Sequence, residues 1–365
     1  MSTAHAPPPQ VRHRGRISTD ATEAVHGPDR PAEAEGMPHH LTSPDASAAV
    51  RSRSQLRSQG MSERQIAGAV RDGELRRLQR NRFVAMAVWE DLWPESRHLI
   101  ELSAAAAEMR LGGGVASHES AGALHELPFY RHIPDAVHLT LPAGKGMSSR
   151  PGLRRHRDQL PEEDIDTVSG IRCTSLERTA FDLARTLRPE AALVAADAAL
   201  RRTASGADGY DEGVAQAWRE RMLERCARSR GARGIRQAER AVRFADGRSE
   251  SPGESVSRLQ LSRLGFRRLR LQAPVPGPAG TDYRVDLEIE DVHTFFEFDG
   301  QGKYVEEAMR SGRTLEQVLL DEKRREDWIR GTTHKRMVRA ESPHILTPAT
   351  LARRLAAFGV RPPER

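Results

Sequence analysis

Two short runs of alternating residues constrain this chain most: Arg284-Val-Asp-Leu-Glu-Ile289 and Phe295-Phe-Glu-Phe-Asp-Gly300, with Lys303 just beyond. Successive side chains of a β-strand point to opposite faces, so Val285, Leu287 and Ile289 form an apolar side and Asp286 and Glu288 a polar one. Glu297 and Asp299 likewise share a face. The short gap between the runs predicts an antiparallel hairpin. A two-residue turn at Asp291-Val292 sets Asp286 across from Glu297, whereas a slip of one residue undoes the pairing. Carboxylates side by side repel unless a cation lies between them. Hard oxygen ligands of this kind suit Mg²⁺ (or Mn²⁺), which acidifies a bound water and neutralises charge on a phosphate. A nearby lysine would stabilise that charge. The same alternation also describes an exposed hairpin with a solvated acidic face.

Charge along the chain is segregated. Between Arg51 and Arg82 nine arginines face Glu63, Asp72 and Glu74, a balance of +6; between Arg219 and Arg243 nine more face Glu220, Glu224 and Glu239, again +6. From Asp282 to Asp299 the balance is −6. Separated basic and acidic blocks point to a polyanionic partner and a local cation site. Of 57 basic residues only Lys145, Lys303, Lys323 and Lys335 are lysines, so a lysine beside the acidic block stands out. Two cysteines, Cys173 and Cys226, make neither a disulfide framework nor a zinc site, which fits a reducing, cytoplasmic setting. No apolar run reaches the ~20 residues a membrane span needs, and nothing in the pattern sets an oligomeric state.

The expected architecture is α/β (α+β multidomain). Residues 1–50, rich in Pro, His, Ala and Ser, read as a disordered tail. Residues 51–95 read as a winged helix-turn-helix: a short helix Arg53–Ser58, a helix Glu63–Arg71 capped by Ser62, and a basic hairpin turning at Asn81. Residues 96–245 read as a mixed α/β region ending in a basic helical stretch, Glu212 to Phe244. Residues 251–345 combine strands and helices, and 346–365 form a C-terminal helix and tail. Ser251-Pro-Gly-Glu254 fits a capping box, with Ser251 as N-cap, Pro252 first in the helix and Glu254 third. Other candidates carry little chemistry. His118-Glu119 lacks a second histidine at zinc-protease spacing, since His125 is too far along, and Gly112-Gly-Gly114 has no Lys-Ser/Thr after it.

Arg284-Val-Asp286, Glu297-Phe-Asp-Gly300, Lys303-Tyr304 and Glu322-Lys-Arg-Arg-Glu-Asp327 together resemble the very-short-patch-repair-type endonuclease-like family of the PD-(D/E)XK superfamily, over about Ser251 to Arg339. The resemblance implies a restriction-endonuclease-like sheet flanked by helices and Mg²⁺-dependent cleavage of DNA. Asp286 matches the first metal-binding aspartate, Glu297 the second acidic position and Glu254 the glutamate of the preceding helix. Asp299 stands where that family has lysine, so Lys303 or Lys323 would take its part; without such a lysine the fold binds DNA but does not cut it. The stretch Gly60-Met-Ser62 to Gly73-Glu-Leu-Arg-Arg-Leu78 is similar to the N-terminal winged helix of AbiEi-type antitoxins. That likeness implies contacts to double-stranded DNA from Arg64 and Arg71 on the second helix and from Arg76, Arg77, Arg80 and Arg82 on the wing. Two functions follow as expectations: a Mg-dependent endonuclease, and a non-catalytic DNA-binding regulator of the type IV toxin–antitoxin kind.

Overall fold

The computed structural model describes residues 41–112, 114–141, 149–300 and 314–363. The basic N-terminal block folds as β1 (Arg51–Ser52), α2 (Arg53–Ser58), α3 (Glu63–Arg71), β2 (Leu75–Gln79) and β3 (Arg82–Ala85), preceded by α1 (Ser43–Ala49). The strands form an antiparallel sheet in the order β1-β3-β2. Capping boxes start both middle helices, Ser52 with Gln55 and Ser62 with Gln65. Leu56, Ile66 and Phe83 make the small core beneath them. At the wing tip Asn81 takes φ +60°, the left-handed turn position expected of it. Ordered chain begins earlier than residue 51, however. Thr42 caps α1, and Ala46 is fully buried. The apolar contact of a single alanine is too faint a signal in a Pro- and Ala-rich run for sequence reasoning to register.

Next come α4 (Met86–Glu90) and α5 (Pro94–Gly112), then a five-stranded mixed sheet. Its strands are β4 (Val115–Ala116), β5 (Val137–Leu141), β6 (Leu153–Arg157), β7 (Ile165–Val168) and β8 (Ile171–Thr174), in the order β6-β5-β4-β8-β7. α6 (His118–Leu124), α7 (Leu176–Thr186) and α8 (Pro189–Ala204) pack against it. The alanines of α8 at 191, 192, 195, 196 and 199 are all buried, and their small size lets neighbouring helices approach closely. A short ribbon, β9 (Ser205–Gly206) with β10 (Gly209–Tyr210), leads on. The helical stretch expected from Glu212 to Phe244 is two helices, α9 (Glu212–Arg228) and α10 (Ile235–Phe244). Gly231 and Gly234, both at positive φ, break it. At Gly234 a Cβ would lie 2.1 Å from the Arg185 carbonyl oxygen, so only glycine fits that approach.

The C-terminal part runs α11 (Pro252–Arg263), β11 (Leu269–Pro276), β12 (Asp282–Ile289), β13 (Thr294–Phe298), α12 (Leu315–Thr333), β14 (Arg336–Ala340) and α13 (Pro348–Ala357). Its sheet order is β11-β12-β13-β14, antiparallel except for the parallel β13/β14 pair. A sheet flanked by helices is thus the architecture found here, and the chain as a whole is the mixed α/β, several-sheet protein expected. Leu287, Ile289, Phe296, Val256 and Leu351 share one core, which Val194 of α8 joins; Val285, Phe295, Ile329 and Met337 share another. Arg258 of α11 grips both carboxylate oxygens of Asp197 on α8 at 2.9 and 3.1 Å, both residues being buried. Among the described residues no helix is long and apolar enough to cross a membrane.

Candidate functional site

The six wing and helix arginines do not all face the same way. Arg64 is exposed on α3, one helical turn pair from Arg71, and Arg71 pairs with Asp72 at 3.1 Å. Arg77 lies in register with Phe83, whose ring belongs to the core under α2 and α3, so Arg77 stands on the helix side of the wing. Arg76 lies in register with Val84, and its guanidinium sits 4.3 Å over the Trp89 ring on the other side. Adjacent strand residues cannot share a face, so Arg76 and Arg77 do not act together. Arg80 is exposed at the tip, and Arg82 is half-buried, its Nη1 donating to the Asn81 carbonyl. Arg64, Arg77 and Arg80 make no ion pair with any described residue.

In the C-terminal sheet, β12 and β13 pair Leu287 with Phe296 and Glu288 with Phe295. The ladder ends at Leu287–Phe296, one residue short of the expected Asp286–Glu297 pair. The turn differs: Glu290–Val292 form a short 3-10 helix and His293 takes φ +48°. Near Asp286 the alternation itself breaks. Val285 and Leu287 belong to different cores, and Gln272 on the neighbouring strand has φ +49°. Asp286 Oδ2 accepts the Phe298 backbone N–H at 2.9 Å. Ser251 is the N-cap, its Oγ accepting the Glu254 N–H at 3.2 Å, while the Glu254 carboxylate accepts the Glu250 N–H and the Ser251 hydroxyl, each at 2.9 Å, in place of the Ser251 N–H of the expected capping box. Burial, with the Asp286 charge adding to it, pushes the Glu254 carboxyl up to about 7.

Among the described residues, the cations beside Glu297 are arginines. Arg325 of α12 donates to Glu297 Oε1 at 2.8 Å, and Arg339 of β14 lies 3.4 Å from Glu297 Oε2. Arg339 also pairs with Glu322, with Glu326 at 3.0 Å, and with Asp299 at 4.0 Å. Lys323 is exposed on α12, and Lys303 falls outside the described residues. Lys335 bonds Glu288 and lies 4.7 Å over Phe295. The repulsion that argued for a metal is therefore answered by two guanidiniums. Among the described residues, Glu254, Asp286 and Glu297 are not part of any three-ligand group with atoms within 4.8 Å of one another. As arranged, this donor set does not fit Mg²⁺: both Glu297 oxygens already face cations.

The cluster that sequence reasoning missed lies in the middle sheet. The turn after β4 places His118 at φ +52°, a strained position for a non-glycine residue. Its Nδ1 lies 3.1 Å from Ser117 Oγ, which accepts Thr140 Oγ1–H at 2.8 Å. β5 supplies His138, whose Nδ1 is 3.1 Å from His156 Nε2 of β6. The His118 and His156 rings stack with centroids 3.9 Å apart. Glu119 Oε1 lies 3.0 Å from His132 Nε2, and its Oε2 lies 2.9 Å from His138 Nε2. That last contact is off-line, so both atoms are buried without an aligned hydrogen bond. His98 Nε2 lies 2.9 Å from Ser120 Oγ, which accepts the His138 backbone N–H. Burial, reinforced by neighbouring imidazoles, holds His98 down to about 4, His118 to about 2 and His156 to about 4. These rings are therefore neutral near pH 7. His125 goes elsewhere, its Nε2 lying 2.8 Å from the Thr174 carbonyl oxygen.

Residues 111–242 match the family model for the AbiEi antitoxin C-terminal domain. The segment contains His118, Glu119, His132, His138 and His156, in the very region whose chemistry the sequence left unassigned. Two uncharacterized Mycobacterium tuberculosis proteins, MT2308 of strain CDC 1551 / Oshkosh and Rv2248 of strain H37Rv, are each 30% identical to the chain over 235 residues. Each match covers 61% of this chain and 80% of the relative. The crystal structure of the RV2827C protein from Mycobacterium tuberculosis aligns with 65% of this chain and 87% of its own, at 10% identity and a TM-score of 0.32. That overlap is too loose to bear on the fold.

Proposed function

We infer that this chain, which belongs to the family of the Mycobacterium tuberculosis protein Rv2248, is a DNA-binding regulator of the antitoxin type. The observation that carries this reading is the set Arg64, Arg77 and Arg80: exposed on α3 and the wing, and without an ion-pair partner among the described residues. Arginines held by a folded frame yet unneutralised within it are suited to phosphates. α3 is the element to enter the major groove. Its exposed face carries Arg64, Ala67 and Arg71, with Gly68 beside them, and small residues between arginines let the helix approach base edges. The wing then lays Arg77 and Arg80 along the adjacent backbone. The antitoxin match at residues 111–242 supports a place for the chain in a toxin–antitoxin system.

The test is binding of the full chain to duplex DNA, selected from a random library, across a salt series. Each lost phosphate contact lowers the slope of log K against log[salt] by about 0.9. Arg64→Ala, Arg77→Ala and Arg80→Ala should each do so. Absence of duplex binding at about 50 mM salt, or an unchanged slope in the triple variant, overturns the reading. Incubating the chain with plasmid and Mg²⁺ or Mn²⁺ covers the endonuclease expectation. Nicking that Asp286→Ala and Glu297→Ala both abolish would replace the regulator with a hydrolase; a footprint that survives EDTA without nicking supports the regulator.

A further inference from the structure

Three imidazoles from three separate elements meet in the middle sheet: His118 from the turn after β4, His138 from β5 and His156 from β6. We propose that these residues form a binding site for a divalent transition metal of the zinc class, through His138 Nδ1, His156 Nε2 and His118 Nε2.

The distances fit. Zn–N bonds of about 2.0–2.1 Å in a tetrahedron set neighbouring nitrogens about 3.3–3.4 Å apart. His138 Nδ1 and His156 Nε2 are 3.1 Å apart, already at that spacing. One nitrogen from each of the three rings lies within 4.8 Å of the other two, so ring rotation can close the set. The surrounding groups also fit. A metal-bound histidine usually offers its other ring N–H to a carboxylate or other acceptor, which fixes tautomer and orientation. His138 turns Nε2 to Glu119 Oε2 at 2.9 Å, and His118 turns Nδ1 to Ser117 Oγ at 3.1 Å. Glu119 is itself held by His132, and Ser117 by Thr140. The cap hydroxyl of α6 makes no cap hydrogen bond, being taken up at His118.

A second observation points to a ligand. His138 Nε2 and Glu119 Oε2, on residues 4% and 5% exposed, lack an aligned hydrogen bond although they are adjacent. A cation on Nδ1 fixes the proton on Nε2 and favours turning that N–H onto the carboxylate. An all-imidazole set prefers Zn²⁺, Co²⁺, Ni²⁺ or Cu²⁺ to Mg²⁺. Three protein ligands leave a fourth position for water or another ligand, as in open zinc sites.

The full chain, stripped with chelator, is titrated with Co²⁺ and followed by visible absorption, then competed with Zn²⁺. The expected result is one equivalent of tetrahedral Co²⁺, displaced by Zn²⁺. His156→Asn, at a half-buried position, and His138→Asn should lose the bands. Glu119→Gln should weaken binding by about 10- to 100-fold. A variant with His293 and His334 replaced by Asn should keep the bands, since those exposed histidines sit at turns of the C-terminal sheet region and not in the cluster. Circular dichroism establishes that each variant is folded. No tetrahedral band at one equivalent in the wild type, or an undiminished band in folded His156→Asn, overturns the proposal.

Discussion

The two basic blocks have the same composition and different electrostatics. Each has nine arginines and a balance of +6. In residues 51–82 the ion pairs formed are internal: Arg53 and Arg57 with Glu63, and Arg71 with Asp72. They leave the block's balance unchanged. In residues 219–243 the fold brings in acids from elsewhere: Arg219 pairs with Glu212, Arg221 with Glu177 and Arg225 with Asp164. These three outside carboxylates reduce that block's local balance from +6 to +3. The difference teaches that a run of arginines in sequence is not a field in space. What a block offers a polyanion depends on which carboxylates the fold delivers to it.

The strongest way to break the comparison is to remove the carboxylate that anchors the second block. Asp164 is 2% exposed, accepts both Nη atoms of Arg225 at 2.5 and 2.6 Å, and also bonds Arg178 at 3.2 Å. Asp164→Asn should cost about 1.5–3 kcal/mol in urea unfolding, because the partly buried Arg225 loses its carboxylate and Arg178 loses one of three. A loss below about 1 kcal/mol would show that the block is not held by this pair.

Acid should have an effect of similar size, and it bounds the pH at which the blocks can be compared. The fold keeps His98, His118 and His156 from protonating until about pH 4, 2 and 4, whereas the unfolded chain protonates near 6.5. Between those values the unfolded state binds more protons, so stability falls as pH drops. Glu254 runs the other way. It keeps its proton up to about 7 in the fold and loses it near 4.5 when unfolded, so it weakens the fold as pH rises through that window. Three imidazoles less one carboxyl give a steepest slope of about 2–3 kcal/mol per pH unit between about 4.5 and 6. Urea titrations of the chelator-stripped chain at stepped pH measure it, and a flat profile would mean that the imidazoles are solvated.

Charge removal on the first block should affect binding but not folding. The triple variant at Arg64, Arg77 and Arg80 should lose nearly three units of salt slope while changing unfolding free energy by no more than about 0.5 kcal/mol. The smallest expected effect is at Arg230, Arg233, Arg236 and Arg240, the exposed arginines of the second block that make no ion pair with described residues. Replacing all four with alanine should lower the salt slope by less than the first-block triple variant does, because they lie on α10 and the turn before it rather than on α3 and the wing. A loss as large as that of the first block would erase the distinction.

Much of the frame was legible because its signals are local. Ser62 before an amphipathic run, Asn81 at a hairpin tip and Pro252 after Ser251 each specify a backbone state through one side chain. The hairpin of β12 and β13, with Leu287 opposite Phe296, was legible because alternation and a short turn leave few alternatives. The cations on Glu297 were not, because Arg325 and Arg339 arrive from a helix and a strand far along the chain. α6 escaped notice for another reason. All seven of its residues are buried, so it has no polar face and no period to read. Its one histidine, His118, meets partners 20 and 38 residues away, spacings that match no short motif. Only topology brings β5 and β6 alongside the His118 turn.

The clasp between Asp197 and Arg258 has a practical consequence. The natural place to divide this chain for expression lies between α10 and α11, where one sheet system gives way to the next. A cut there would leave an acid stranded in apolar surroundings on one fragment and its base on the other, with Val194 stripped of its cover. Separate halves should be poorly soluble for that reason alone, so failure of a truncated piece would say nothing about its chemistry. Roles are better assigned by single substitutions in the intact chain, or by co-expressing both pieces.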